Sequence, residues 1–330
     1  MKRNISVVTG GAGFIGSHLV DLLLENGHEV RVIDNFSGGH KSNLKVAGAN
    51  PNLKIFSEDI LDLQVDSTIF HSVDYVFHLA GIGDIVPSIE KPNDYMAVNV
   101  QGTVKVLECA RKNSIKKFVY ASSSSCYGLA DTPTDEFAII SPEYPYALSK
   151  YLGEQCVFHW NRVYGLPVNS ICIFNAYGPR VRTTGAYGAV FGVFLKQKLM
   201  GKPFTVVGDG TQTRDFVYVT DVAQGFLLAA QTEISGERFN LGGGRPRSIN
   251  ELIEILKGPV IQIPKRPGEP DVTHADIAKI STMLNWKPKV AFQEGVETML
   301  EHISEWENAP LWEPEGIAEA TKTWFRFMNK

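Results

Sequence analysis

Seven residues near the start of the chain, Gly10-Gly11-Ala12-Gly13-Phe14-Ile15-Gly16, constrain its fold more than any others. They follow a strand-forming run, Ile5–Thr9, and open a helical pattern over 14–26 with Ile15, Leu19, Leu22 and Leu23 on one face. Glycine, lacking Cβ, lets a backbone turn tightly and come close to a phosphate, and a helix N-terminus offers free N–H groups and the positive end of its dipole. A glycine turn of this kind also occurs with no ligand. Here a second strand, 30–34, ends in Asp34, and strand, glycine turn, helix and strand-end acid together spell a dinucleotide site. Asp34 is placed to hydrogen-bond the adenine ribose hydroxyls and to repel a 2′-phosphate, so the expected cofactor is NAD rather than NADP.

The alternation continues with strand patterns at Leu53–Phe56, 75–80, 118–121 and 168–174, and helical patterns over 95–112 and 146–164. Near-continuous apolar strands separated by helices predict an α/β fold, a Rossmann-type doubly wound parallel sheet covered on both faces. After about residue 178 the pattern loosens into shorter units punctuated by glycine and proline, as in Gly242-Gly-Gly244 and 264–270. The predicted division is a dinucleotide domain over 1–175, with a returning strand near 237–242, and a smaller mixed α/β domain over 176–330 that mainly binds substrate. The helical stretch from Phe292 carries Trp306, Trp312 and Trp324, read as anchors of a C-terminal layer rather than ligand contacts.

Composition narrows the function. Of 330 residues, 32 are basic and 36 acidic, a net charge of −4 without a Lys/Arg run, so nucleic acid is not an expected partner. No apolar run approaches a membrane span, and the start of the sequence reads as no export signal. Cys109, Cys126, Cys156 and Cys172 stand apart without a CxxC, and the eight histidines are scattered. The reading is a cytoplasmic protein with reduced thiols and no metal site.

Tyr146 and Lys150, at i and i+4 of a helical pattern, face the same side one turn apart. An ammonium beside a phenol stabilises the phenolate and lowers its pKa, as an acid/base group needs, although such a pair also occurs on plain surfaces. Upstream, 118–128 is a strand ending in four serines. A hydroxyl at the C-terminal edge of a parallel sheet can hold a substrate oxygen, while Ser122, Ser124 and Ser125 suit turn capping equally well.

With these motifs together the sequence resembles, over essentially its whole length, the extended short-chain dehydrogenase/reductases that act on nucleotide sugars. The matching residues are Thr9–Gly16, Asp34-Asn35, Asp59-Ile60, His78-Leu79-Ala80-Gly81, Asn99, the serine run, Tyr146 and Lys150, Phe174-Asn175, Gly208–Asp215, Arg266–Glu269 and Ala275-Asp276. The resemblance implies NAD held by Gly10, Gly13, Phe14, Ile15, Gly16, Asp34, Asn35, Ser37, Gly38, Asp59, Ile60, Leu79, Ala80, Gly81, Asn99, Tyr146, Lys150 and Phe174. It also implies that Ser123, Tyr146 and Lys150 are catalytic: Tyr146 takes the sugar 4-OH proton while hydride leaves C4, and Ser123 is the hydroxyl partner. Asn175 with Arg214 and Arg266 would hold the diphosphate, and Ala189, Val190 and Val207 the nucleobase.

The resemblance to the 4,6-dehydratases and decarboxylases fails at one point. Those relatives carry a Glu in the pair of positions after the catalytic hydroxyl, where this chain has Ser124 and Ser125, which exchange no protons near neutral pH. C4 epimerisation through a 4-keto sugar is therefore the expected reaction, on UDP-glucose/galactose or the N-acetylhexosamine pair. A 4,6-dehydratase recruiting its acid elsewhere is the alternative. Thr273 stands where relatives confined to unsubstituted hexoses have Tyr, which leaves room for a 2-acetamido group. Asp84 stands near the expected cofactor phosphates without being an obvious partner for them. Relatives also form homodimers through a four-helix bundle of the two long helices, and the same is expected here.

Overall fold

The computed structural model describes residues 3–183 and 190–328. Its frame is a sheet of seven parallel strands: β1 (Ile5–Thr9), β2 (Glu29–Ile33), β3 (Leu53–Phe56), β4 (Tyr75–His78), β5 (Lys117–Ser123), β6 (Val168–Ile173) and β7 (Glu237–Leu241). Their spatial order is β7-β6-β5-β4-β1-β2-β3. The direction of winding reverses between β1 and β4, and a ligand crevice forms at such a switch point, beyond the strand C-termini.

Alternate residues of the strands feed two cores. Val8, Phe77, Val119 and Phe239 pack under α1 (Phe14–Glu25) and α4 (Val219–Gln231). Val7, Val76, Phe118 and Tyr120 pack under α2 (Thr103–Lys112) and α3 (Pro145–Tyr164). Every residue of β5 and β6 is buried, which is why those segments read as continuous apolar runs rather than alternating ones.

The return to this sheet is larger than one strand. α4 packs against α1, and Ile280, Leu284 and Trp286 join the same core. On the opposite face, buried Glu154 of α3 accepts from Ser170 Oγ at 2.6 Å and pairs with Arg238 of β7, which ties the returning strand in place. A separate core of Phe191, Phe194, Phe204, Phe216, Leu252, Met299 and Trp306 holds the remainder of the second half.

The helical pattern expected over 95–112 is interrupted. A short helix, Pro92–Met96, runs into a π-helical turn, Ala97–Gly102, before α2 begins. The extra residue of the wider turn lets Asn99 reach Ile82, and Gly102 gives way to the Ile60 side chain. The stretch from Phe292 is likewise broken into short helices, where Pro310 and Pro314 interrupt it. Its last one is α5 (Lys322–Met328). No helix among the described residues is long and apolar enough to cross a membrane.

Two imidazoles, buried His78 and half-buried His18, give the fold a pH dependence. His78, between the hydroxyls of Thr9 (2.7 Å) and Thr103 (2.9 Å), is pulled by burial from 6.5 to about 3. His18, whose Nε2 lies 3.1 Å from the Pro179 carbonyl, is pulled by burial to about 4. The unfolded chain therefore binds these two protons below pH 6.5 while the folded chain does not, so acid favours unfolding. Asp215, Asp221 and Glu136, pushed up by burial, work the other way at lower pH. Between pH 7 and 5.5, urea unfolding should report a loss of about 1 kcal/mol for each of the two histidines, and His18→Gln should remove one such share.

Candidate active site

The glycine turn is closed by its own backbone. Gly10 has a positive φ of 70°, and a Cβ there would lie 2.7 Å from the Ala80 nitrogen. A Cβ on Gly16 would lie 2.2 Å from the Gly10 carbonyl oxygen, so the first turn of α1 fits only with glycine there. Asp34, at the end of β2, accepts from the Ala12 N–H at 2.9 Å and the Phe36 N–H at 2.8 Å. Each carboxylate oxygen keeps a second lone pair for a ribose hydroxyl. Beside it, Asn35 donates to Asp59 at 2.7 Å and accepts from the Ser37 hydroxyl at 2.7 Å. Phe14 and Ile15 open α1, Leu79, Ala80 and Gly81 follow β4, and Ile60 is buried against Gly102. Gly38 has open space around its Cα. The close approach belongs to Gly39, whose Cβ would lie 2.7 Å from the Ala12 carbonyl carbon; the glycine pair marked this place in the sequence but not which of the two is pressed.

Asn99 also has a structural part. It is buried, its oxygen accepts from the Ile82 N–H (2.8 Å), and its amide donates to the Ile82 carbonyl (3.0 Å) and Ser149 Oγ (2.8 Å). With its amide engaged by the protein, it fixes the turn after β4 against α3.

Ser123 ends β5, and its hydroxyl approaches the phenol of Tyr146 as a weak partner that favours the phenolate. The Tyr146 ring is flanked by Tyr95 edge-on and Tyr144 stacked, each 6.4 Å away. Burial pushes the phenol above its usual range, and the Ser123 hydroxyl pulls it back only in part. The expected lowering by Lys150 is thus absent in the protein alone, because loss of water outweighs every nearby charge. Lys150 itself is buried, its Nζ 4.4 Å from the Tyr120 ring centroid, and burial pulls it down to about 8. A Cβ on Gly81 would sit 3.9 Å from that Nζ, so this ammonium faces the turn after β4.

A cavity of about 530 Å³ opens next to this group, walled by Ser124, Ser125, Glu143, Tyr144 and Phe174 and continuing to Val190, Val207, Arg214, Arg266 and Thr273. Arg214 and Arg266 converge on one carboxylate, Glu269, each at 2.8 Å. The Thr273 hydroxyl donates to Asn175 Oδ1 at 2.8 Å and accepts from the Asp215 N–H at 3.1 Å. Asp84, ambiguous in the sequence, pairs with Arg182 at 3.1 Å, and both line the cavity. Trp306 is core, whereas Trp312 and Trp324 line the cavity, against expectation; helical periodicity did not distinguish the three. Ala189 lies outside the described residues.

A model of the NAD dependent epimerase/dehydratase family matches residues 6–242. The chain belongs to that family. It is 35% identical over 305 residues to the UDP-glucose 4-epimerase of Mycolicibacterium smegmatis, 90% of this chain and 97% of the relative. Among solved structures it is similar to a UDP-N-acetylglucosamine 4-epimerase of Methanobrevibacter ruminantium in complex with UDP-N-acetylmuramic acid: TM-score 0.87, 33% identity, covering 92% of this chain and 100% of that one. It is similar also to a UDP-glucuronic acid 4-epimerase of Bacillus cereus in complex with UDP-glucuronic acid and NAD: TM-score 0.86, 34% identity, covering 91% and 99%.

The residues present fit the family's cofactor. Glycine positions that admit no Cβ leave backbone for the pyrophosphate, and a buried ammonium, that of Lys150, lies beside the turn after β4. Gly16→Ala should lower the thermal midpoint by about 5 °C or more and abolish retention of NAD through dialysis, because the obstacle is backbone that cannot swing aside.

Proposed function

We propose that this enzyme interconverts nucleoside-diphosphate sugars, UDP-sugars above all, by inversion at C4. The observation that carries the reading is the hydroxyl pair Ser123–Tyr146 at the C-terminal end of β5, followed by Ser124 and Ser125 in the cavity wall rather than by an acid. Bound NAD supplies the hydride acceptor at C4 and a positive charge that favours the phenolate. The chain does the rest. Tyr146 takes the 4-OH proton, Ser123 holds the oxygen, and Lys150 holds the nicotinamide ribose. The planar 4-keto sugar turns in the cavity, receives hydride on its other face and regains the proton from Tyr146, so atoms and electrons balance without an outside reductant.

On this reading the remaining cofactor contacts are Gly10, Gly13, Phe14, Ile15, Gly16, Asp34, Asn35, Ser37, Gly38, Asp59, Ile60, Leu79, Ala80, Gly81, Asn99 and Phe174. A diphosphate would compete with Glu269 for the guanidinium groups of Arg214 and Arg266, with Asn175 beside them. The engaged Thr273 leaves space for a 2-acetamido group. Residues 1–175 and the returning segment would serve the dinucleotide, and the second half mainly the substrate. Leu148 and Leu152, one turn apart on α3 and 39% and 36% exposed, support a homodimer through α2 and α3. Four unpaired cysteines support a cytoplasmic location.

Glu143 gives the dehydratase reading its one foothold. Of the carboxylates lining the cavity, Asp84 and Glu269 are held by arginines, and Glu143 has no ion pair among the described residues. Mass and NMR analysis of products from UDP-glucose, UDP-N-acetylglucosamine and UDP-glucuronate, with no added reductant, decides between them. A product of unchanged mass inverted at C4 is expected. Loss of one water would instead assign elimination, with Glu143→Gln then predicted to stop it. Tyr146→Phe should lower kcat about a thousandfold while NAD remains bound; unchanged turnover would overturn the role of the phenol.

A further inference from the structure

Trp324 joins two parts of the site that are far apart in the chain. Its indole is 5% exposed and lines the cavity, and its Nε1–H donates to the Pro267 carbonyl at 2.7 Å. Pro267 sits between Arg266 and Glu269, so this bond holds the loop that carries the arginine–carboxylate cluster. The ring lies 5.8 Å from Tyr144, whose own ring stacks at 9° on Tyr146. One side chain thus touches the loop and the aromatic stack behind the catalytic phenol. α5 is anchored away from that loop by Thr323 Oγ1, which donates to Glu90 at 3.0 Å, and its Met328 meets the loop a second time at Gly268. An indole held at both ends adds to the bonds that the Pro270 and Asp271 carbonyls accept from Arg214 and Thr213 in ordering a loop whose Lys265 and Asp271 side chains are exposed.

We propose that Trp324 is a positioning residue for substrate: through its N–H it holds the 264–271 loop in place for the diphosphate, and its ring walls the cavity beside Tyr144. This rests on the nucleotide-sugar reading above. The chemistry at C4 takes place at Ser123, Tyr146 and Lys150, which Trp324 reaches only through Tyr144, whereas it bonds the 264–271 loop directly, so its removal is expected to act on binding more than on turnover.

The test uses the full chain and the variants Trp324→Phe, which keeps an aromatic ring and loses the donor, and Trp324→Ala. Hydrogen exchange of 264–271 without ligand, calorimetric affinity for UDP, and KM and kcat on the sugar turned over by the parent are compared. In both variants exchange of the loop should quicken, UDP affinity should fall about fivefold or more and KM rise in step, with kcat within about threefold. If Trp324→Ala does not fold, Trp324→Phe alone decides. Loop exchange and UDP affinity equal to the parent's in Trp324→Phe would overturn the hydrogen-bonded tie, and so would a loss confined to kcat. Should the parent itself bind no UDP, the nucleotide reading falls, while loop exchange still judges the tie.

Discussion

The Gly10 carbonyl oxygen occupies the space that a side chain on residue 16 would need, and much of the molecule is arranged around that contact. It brings the start of α1 onto the glycine turn, the turn onto Ala80 after β4, and the Asp34 carboxylate onto the Ala12 N–H. Strand ends at β1, β2 and β4 are thereby gathered at the point where the sheet reverses its winding, with helix N–H groups aimed into the crevice between them. Nothing in this arrangement depends on a long side chain. It is a backbone surface, made possible by what the glycines lack.

A second arrangement, built of side chains, faces it across the crevice. β5 delivers Ser123, and α3 delivers Tyr146 and Lys150. The π-helical turn lets Asn99 clamp the Gly81–Ile82 turn and bond Ser149 of α3. Water is excluded to the point that burial raises the phenol and lowers the ammonium together. A site of this kind is set for catalysis only once its ligands replace the missing solvation, which suits an enzyme whose cofactor stays in place from one turnover to the next.

In the second half the cavity's arginines are held by ion pairs. Arg214 and Arg266 share Glu269, and Arg182 holds Asp84, so the cavity keeps its cations paired until a ligand competes for them. The cavity walls are brought together from segments distant in sequence: Gln212 and Arg214, residues between 266 and 273, and Trp324 of the last helix.

Local rules made the first half legible. Strand and helix periodicity, glycines that tolerate no Cβ, and a strand-end acid are properties of contiguous residues, so the order of elements, the parallel sheet and the dinucleotide turn could be read directly. The spacing of Tyr146 and Lys150 could also be read, but not the balance of burial against charge that sets their pKa values. The close packing of Gly39, the protein partners of Asn99, the break in the helix over 95–112 and the separation of Trp306 in the core from Trp312 and Trp324 in the cavity were decided by tertiary structure alone. Each depends on which distant group arrives at a given atom, and one-dimensional periodicity carries no record of that.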